Sequence, residues 1–372
     1  GGVKELSDEH ILFAPDLTAA KLEKLAPREE DEEQVVKTQL GNLPRPNVLD
    51  AWLDALGHDL MAPLAERLNA LGMRTVALVP QGRLATLPLH AAPIGTVAPM
   101  RDEDAEDPTP QTSPDALFQD AFEVTYVPSA QRLALARAAS AVVLRSGVAA
   151  IGNPQPASTA LEWAEHEAEA IAQVASRMGQ SCTLLIRRQA NAEAVTKAIA
   201  ERAYVHLACA SAYYPERPQA SYLELAEGSA LRVSDILSGV VRLRGVRLVV
   251  LAAGQSAMSA ANAPDEGVGM AAALLTGGAG GVAACLWPAS DLATLLLMRR
   301  FAELYLREEQ KPAQALRNAQ RWLRNLSQEE LARDYGNDIA RDPDLTLADF
   351  ALPQDKPFAH PLYWASFALH GV

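Results

Sequence analysis

A chain of 372 residues, 49% hydrophobic and 21% charged, has enough apolar material for one large core or two ordinary ones, which excludes an intrinsically disordered protein. Its 46 Asp and Glu against 33 Lys and Arg give a formal net charge of -13, so a nucleic-acid surface, which needs clustered cations, is not expected. The three cysteines, Cys182, Cys209 and Cys285, fit neither a disulfide framework nor a zinc site and point to a reducing, cytoplasmic setting.

The opening Gly1-Gly2-Val3, with no initiator Met and no signal-peptide core, reads as a tag remnant, and residues 1–47 as an N-terminal extension. Apolar residues at helical spacing (Leu49, Trp52, Leu53, Leu56, Leu60, Leu64, Leu68, Leu71) predict one amphipathic helix over 48–71. A strand over 74–79 and a turn at Pro80 to Arg83 follow. Residues 94–118 are Pro-rich and acidic, with Asp102 to Asp107 at their centre, and carry no apolar period. They read as a surface loop or disordered insertion and a candidate contact for a basic partner. A strand over 122–127 runs into Pro128-Ser129, a helix start, and a helix over 129–143. A complete strand-helix unit restarts at Val148, which places a boundary near residue 145, between a lobe over 48–145 and a second over 146–372.

In the second lobe, strands are predicted at 148–154, 183–186, 203–208 and 246–253, and helices at 159–177, 191–201, 233–237, 289–307 and 312–325. Residues 267–290 carry no charge and are long enough to cross a bilayer, yet Gly277-Gly-Ala-Gly-Gly281 would break a helix midway and Val282 to Trp287 reads as a strand. Helix, glycine turn and buried strand are expected there, and no membrane span. Residues 329–358 are acidic and Pro-dotted, and Tyr363 to His370 closes the chain. Strand-helix alternation with near-continuous apolar strands predicts an α/β fold, a mostly parallel sheet with helices on both faces.

Two strand ends, Tyr204-Val-His-Leu-Ala-Cys-Ala-Ser211 and Val246-Arg-Leu-Val-Val-Leu-Ala-Ala-Gly-Gln-Ser256, stop in small and polar residues, where an α/β sheet presents groups to a ligand. Both resemble the site strands of the CHAT domains, a family of caspase-like cysteine peptidases. The resemblance extends, in order, to Val76 to Leu89, Phe122 to Ala130, Asp265-Glu266 leading into Gly267 to Gly281, Leu286-Trp-Pro-Ala-Ser-Asp-Leu-Ala-Thr294, and Tyr363 to Gly371. It implies two caspase-like lobes, the first degenerate and the second carrying a His/Cys dyad. It further implies a bacterial effector, defence or signalling role beside protein partners such as a CHAT-type protease, a sensor or a repeat protein encoded nearby. In this chain the histidine position is Ala210 and the cysteine position is Gly254.

Peptide cleavage by that route needs a thiolate to attack and an imidazole to move protons. A methyl group and a hydrogen do neither, and in a serine protease losing either partner costs about a million-fold. Replacements are weak. Cys209 adjoins the histidine position but points to the other face of the strand. His206 shares the face of Ala210 but lies deeper, as a structural histidine. Ser256 lacks the second glycine of a nucleophile elbow. Asp265 and Glu266 open a helix, where carboxylates complement the dipole, or once held a basic substrate residue. Gly277 to Gly281 lacks a P-loop ending, and His166-Glu167 has no second His four residues on. No cofactor and no metal are expected. The remaining cleft is expected to be lined by His206, Ser211, Gln255, Ser256, Asp265 and Glu266. Two readings stay open: a pseudo-protease that holds protein partners, or a cysteine endopeptidase whose dyad was replaced deliberately.

Overall fold

The computed structural model describes residues 36–38, 41–43, 46–97, 113–141, 144–156, 161–214, 217–252, 269–287, 290–307, 309–339 and 355–372. Strands β1 (Val36–Thr38) and β2 (Gly41–Leu43) pair as a short hairpin ahead of the first helices. The apolar spacing from Leu49 onward closes into α1 (Pro46–Leu56) and α2 (Ala62–Ala70), burying Leu49, Leu53, Leu56, Ala65 and Leu68. These are not the single helix predicted over 48–71, because a π turn at Gly57–Met61 separates them. Pro63 has no N–H to give to the preceding turn, and the wider turn before it absorbs the missing bond.

After β3 (Thr75–Leu78), the expectation of a structureless 94–118 needs correction. Its flanks form β4 (Pro93–Val97) and β5 (Ser113–Leu117), an antiparallel pair with Ile94 and Ala116 buried; residues 98–112, including the acidic run, lie outside the described residues. Isolated apolar anchors at the two ends of a polar segment suffice to pin its stems. The chain continues through α3 (Phe118–Ala121), β6 (Glu123–Tyr126) and α4 (Ala130–Ser140), whose cap is Ser129, accepting from Arg132 N at 3.3 Å.

The second half supplies β7 (Val148–Pro154), α5 (Glu162–Arg177), β8 (Cys182–Arg187), α6 (Ala192–Glu201), β9 (Tyr204–Ala208), β10 (Ser211–Ala212), β11 (Tyr222–Glu224), β12 (Ala230–Arg232) and α7 (Val233–Leu237). Then come β13 (Leu248–Leu251), α8 (Met270–Thr276), β14 (Gly281–Cys285), α9 (Asp291–Leu306), α10 (Pro312–Asn325), α11 (Gln328–Ile339), α12 (Pro361–Trp364) and β15 (Phe367–Gly371). The acidic stretch from 329 thus begins as a helix. Ser327 accepts from Glu330 N at 3.1 Å while Glu330 accepts from Ser327 N at 2.9 Å, a capping box that starts α11. Residues 340–354 lie outside the described residues.

One eight-stranded sheet, ordered β3-β6-β15-β14-β13-β9-β7-β8, organises these elements. The run β14-β13-β9-β7-β8 is parallel, β15 lies antiparallel to β14, and β6 and β3 follow the direction of β15. Every residue of β7, β9, β13 and β14 is buried, the mark of strands covered on both faces. Helix α5 packs on β7, β8 and β9, with α9 between it and α10. Gly152 makes the close approach possible, since a Cβ there would strike the Ala164 carbonyl and the Ala168 methyl of α5.

Where β6 meets β15 the core holds polar groups. Tyr126 Oη accepts from His90 N at 3.0 Å and lies 2.8 Å from His90 Nδ1, and the Tyr126 and His370 rings are 5.8 Å apart. Burial pushes His90 down to about 3, outweighing a hydrogen bond with the Ala365 backbone, and pushes His370 down to about 4. Both are therefore neutral in the folded protein, while in the unfolded chain they protonate near 6.5. Their contribution is complete above pH 6.5 and is lost as pH falls toward 4, because the unfolded chain takes up the protons first. Urea unfolding between pH 7 and pH 4 is expected to show stability falling by roughly 1 kcal/mol per pH unit for each histidine. A His90→Gln/His370→Gln variant is expected to lose that part of the slope.

Candidate functional site

Strands β9 and β13 run parallel at the centre of the sheet, with Tyr204 beside Leu248, His206 beside Val250 and Leu207 beside Leu251. Ala252 N donates to Leu207 O at 2.9 Å, so the pairing continues past the end of β13. Strands β9 and β13 are therefore neighbours that stop at the same level. Ala210 lies two residues beyond β9, half-buried, its carbonyl fixed by Glu224 N at 2.8 Å. Ser211, exposed, then opens the small antiparallel sheet β10-β11-β12. Gly254, Gln255, Ser256, Asp265 and Glu266 lie outside the described residues.

His206 does not line a cleft. It has no exposed surface, and its Nε2 lies 2.5 Å from Glu167 Oε1 of α5. Its Nδ1 is 3.4 Å from Tyr204 Oη, and the Tyr204 ring in turn packs against Tyr305 of α9 at 5.7 Å. The sharing of a face with Ala210 has no consequence, because β9 ends at Ala208 and α5 covers the strand below that point. Glu167 was not anticipated as a partner. Its signal is nonetheless present: it stands three residues after Ala164 and four before Ile171, on the apolar stripe of α5, and buried carboxylates require a partner.

A second polar set ties the ends of β7 and β8 to α5. Asn153, at the left-handed φ of 46° that asparagine tolerates, donates to Glu165 Oε2 at 3.1 Å and accepts from Leu161 N at 3.0 Å. Arg187 Nε also donates to Glu165, at 2.8 Å. Burial works against the Glu165 carboxylate, yet the bonds from Arg187 and Asn153 prevail and hold its carboxyl below the usual range.

Neither Cys209 nor Cys182 is prepared as a nucleophile. Burial pushes the Cys209 thiol up, and the nearby Glu167 adds to the shift. Burial also raises Cys182, against a smaller opposing effect of Arg202. Cys285 is buried and donates its S–H to Trp287 O at 2.6 Å. Among the described residues no group of His, Cys, Asp and Glu could hold a metal ion, and no helix is long and apolar enough to cross a membrane.

The His206–Glu167 bond anchors β9 to α5, so cutting either side chain back leaves the other buried and unpaired. His206→Ala and Glu167→Ala are each expected to cost about 3 kcal/mol in urea unfolding. The joint variant should cost clearly less than the sum, and strict additivity in a double-mutant cycle would remove the pair as an anchor.

No curated protein sequence matches the chain. Among solved structures it is similar to the Arg-specific cysteine proteinase gingipain R (RgpB), 9% identical, with a TM-score of 0.44 over 91% of this chain and 69% of that one. A complex of Porphyromonas gingivalis RgpB pro- and mature domains gives 9% identity and a TM-score of 0.45, over 92% and 70%. The Saccharomyces cerevisiae separase-securin complex gives 12% identity and 0.40, over 69% of this chain and 14% of that one. Residues 50–372 match the CHAT domain, nearly the whole of the described structure, and the chain belongs to the CHAT domain family.

Proposed function

We propose that this CHAT-family chain is a pseudo-protease, a protein-interaction, scaffold or regulatory subunit of a bacterial defence or signalling complex. The observation that carries the reading is in the sequence: a methyl at Ala210 and a hydrogen at Gly254, where the family resemblance calls for an imidazole and a thiol. Peptide hydrolysis through a thiolate needs a group that attacks the carbonyl and another that takes and returns a proton. Neither residue has a titratable atom. The one thiol beside Ala210, that of Cys209, is buried and pushed up by that burial, so it is no ready substitute. The scaffold around the strand ends keeps its hydrogen bonds, which supports a role in binding. Extended peptides are held largely by main-chain pairing, and that does not require the dyad.

The test is a peptidase assay on casein and on a mixed peptide library, with the chain and with an Ala210→His/Gly254→Cys variant. The chain is expected to show no turnover above buffer, and the variant to gain cleavage that iodoacetamide abolishes. Turnover by the unaltered chain at a rate comparable to that variant contradicts the proposal.

A further inference from the structure

The sheet has a second end, opposite Ala210, where the strands begin. There the turn before β13 packs against the segment before β7, and the turn before β14 against the end of α4. Gly245 sits against Leu144 and the Arg145 side chain, Gly278 against Arg244, and Gly280 against Ser140 and the Arg247 carbonyl. Arg145 Nη1 donates to Ile199 O at 2.8 Å and holds the same corner together. The segments 137–141, 144–147, 236–247 and 277–281 contribute Arg137, Arg145, Arg242, Arg244 and Arg247 and not one Asp or Glu, in a chain whose net charge is -13. Glu201 is exposed at the end of α6, beside Arg202, whose guanidinium donates to Ser181 and Thr183, and Asp235 caps its own helix by accepting from Arg232 N at 3.0 Å.

Arg137, Arg242, Arg244 and Arg247 are exposed. Among the described residues the guanidinium groups of Arg137, Arg242 and Arg244 make no hydrogen bond or ion pair. Leu144, against Gly245, and Val240, two residues before Arg242, are 63% and 68% exposed, the two most exposed large hydrophobic side chains among the described residues. Scattered arginines on a surface mean little, and so does a lone exposed valine. Unpaired cations gathered at one end of an acidic protein, with bare apolar groups among them, describe a surface with complementary chemistry missing.

We infer that this end of the sheet docks an acidic, leucine-bearing segment of a partner protein, its carboxylates on the arginine forks and its apolar side chains on Leu144 and Val240. Arginine guanidinium matches carboxylate geometry with paired donors, and a short segment feels only the charges within about 8 Å at physiological salt. An anionic membrane or a nucleic acid presents charge over a wider area and also meets the acidic remainder of the surface. These segments also offer no aromatic side chain on which bases stack. The inference concerns a face distinct from the dyad positions and holds whether or not those are inert.

The experiment is fluorescence anisotropy with a short fluorescein-labelled peptide of Glu, Asp and Leu, on the full chain at low and high salt. Salt-sensitive binding is expected, weakened about tenfold or more by Arg242→Glu/Arg244→Glu and severalfold by Leu144→Ser/Val240→Ser. These positions are exposed, so an unchanged urea midpoint verifies that each variant is folded. Failure of the peptide to bind the unaltered chain, or equal binding to the charge-reversed variant, overturns the inference. So does tighter binding to phosphatidylserine vesicles or single-stranded DNA than to the peptide.

Discussion

The parallel pairing of β9 with β13, fastened from below by the buried contact of His206 with Glu167, is the constraint on which the rest of the structure depends. These strands lie in the middle of the sheet, and every residue of both is enclosed. Parallel strands cannot be joined by a tight turn, so their alignment is set by packing over long stretches of chain. His206 contributes a polar bond at one point of that alignment. An unpaired imidazole or carboxylate there would be costly, which makes the register of β9 against α5 hard to slip.

The same arrangement holds the strand end at Ala210 without drawing on the side chain at that position. Ala210 is placed by its backbone, through the bond from Glu224 N, and not by its side chain. The end of β7 is held by Asn153, Glu165 and Arg187, and these residues lie outside the dyad. Nothing in the core described here draws on a reactive group at position 210. Stability and reactivity are separable in this architecture, and the fold tolerates a methyl where the family resemblance calls for an imidazole.

Much of this was legible in the sequence because buried parallel strands are written as unbroken apolar runs. The strands at 148–154, 204–208 and 248–251 were read nearly to their ends, and the uncharged run at 267–290 resolved into α8, a glycine turn and β14. Features that depend on one residue meeting another far along the chain were not. The π turn is a local effect of Pro63 hidden under an unbroken apolar period, whereas β4 and β5 needed two apolar anchors to find each other across a polar segment. The capping box of Ser327 and Glu330 is a local signal, masked by the acidic composition that follows it. The burial of His206 required Glu167, 39 residues away, and the arginine face emerged only when the segments before β7, β13 and β14 were brought to one end of the sheet.

The two ends of the sheet thus have different characters. The end at which β9 and β13 stop is small and apolar where a dyad is expected, and the end at which they start is basic and partly bare. Amide hydrogen exchange, followed by mass spectrometry over residues 204–208 and 248–252, is the most direct test that the frame stands without a dyad. The predicted result is strong protection in the unaltered chain, equal to that of an Ala210→His/Gly254→Cys variant. Fast exchange in these strands of the unaltered chain, slowed only in the variant, would contradict it.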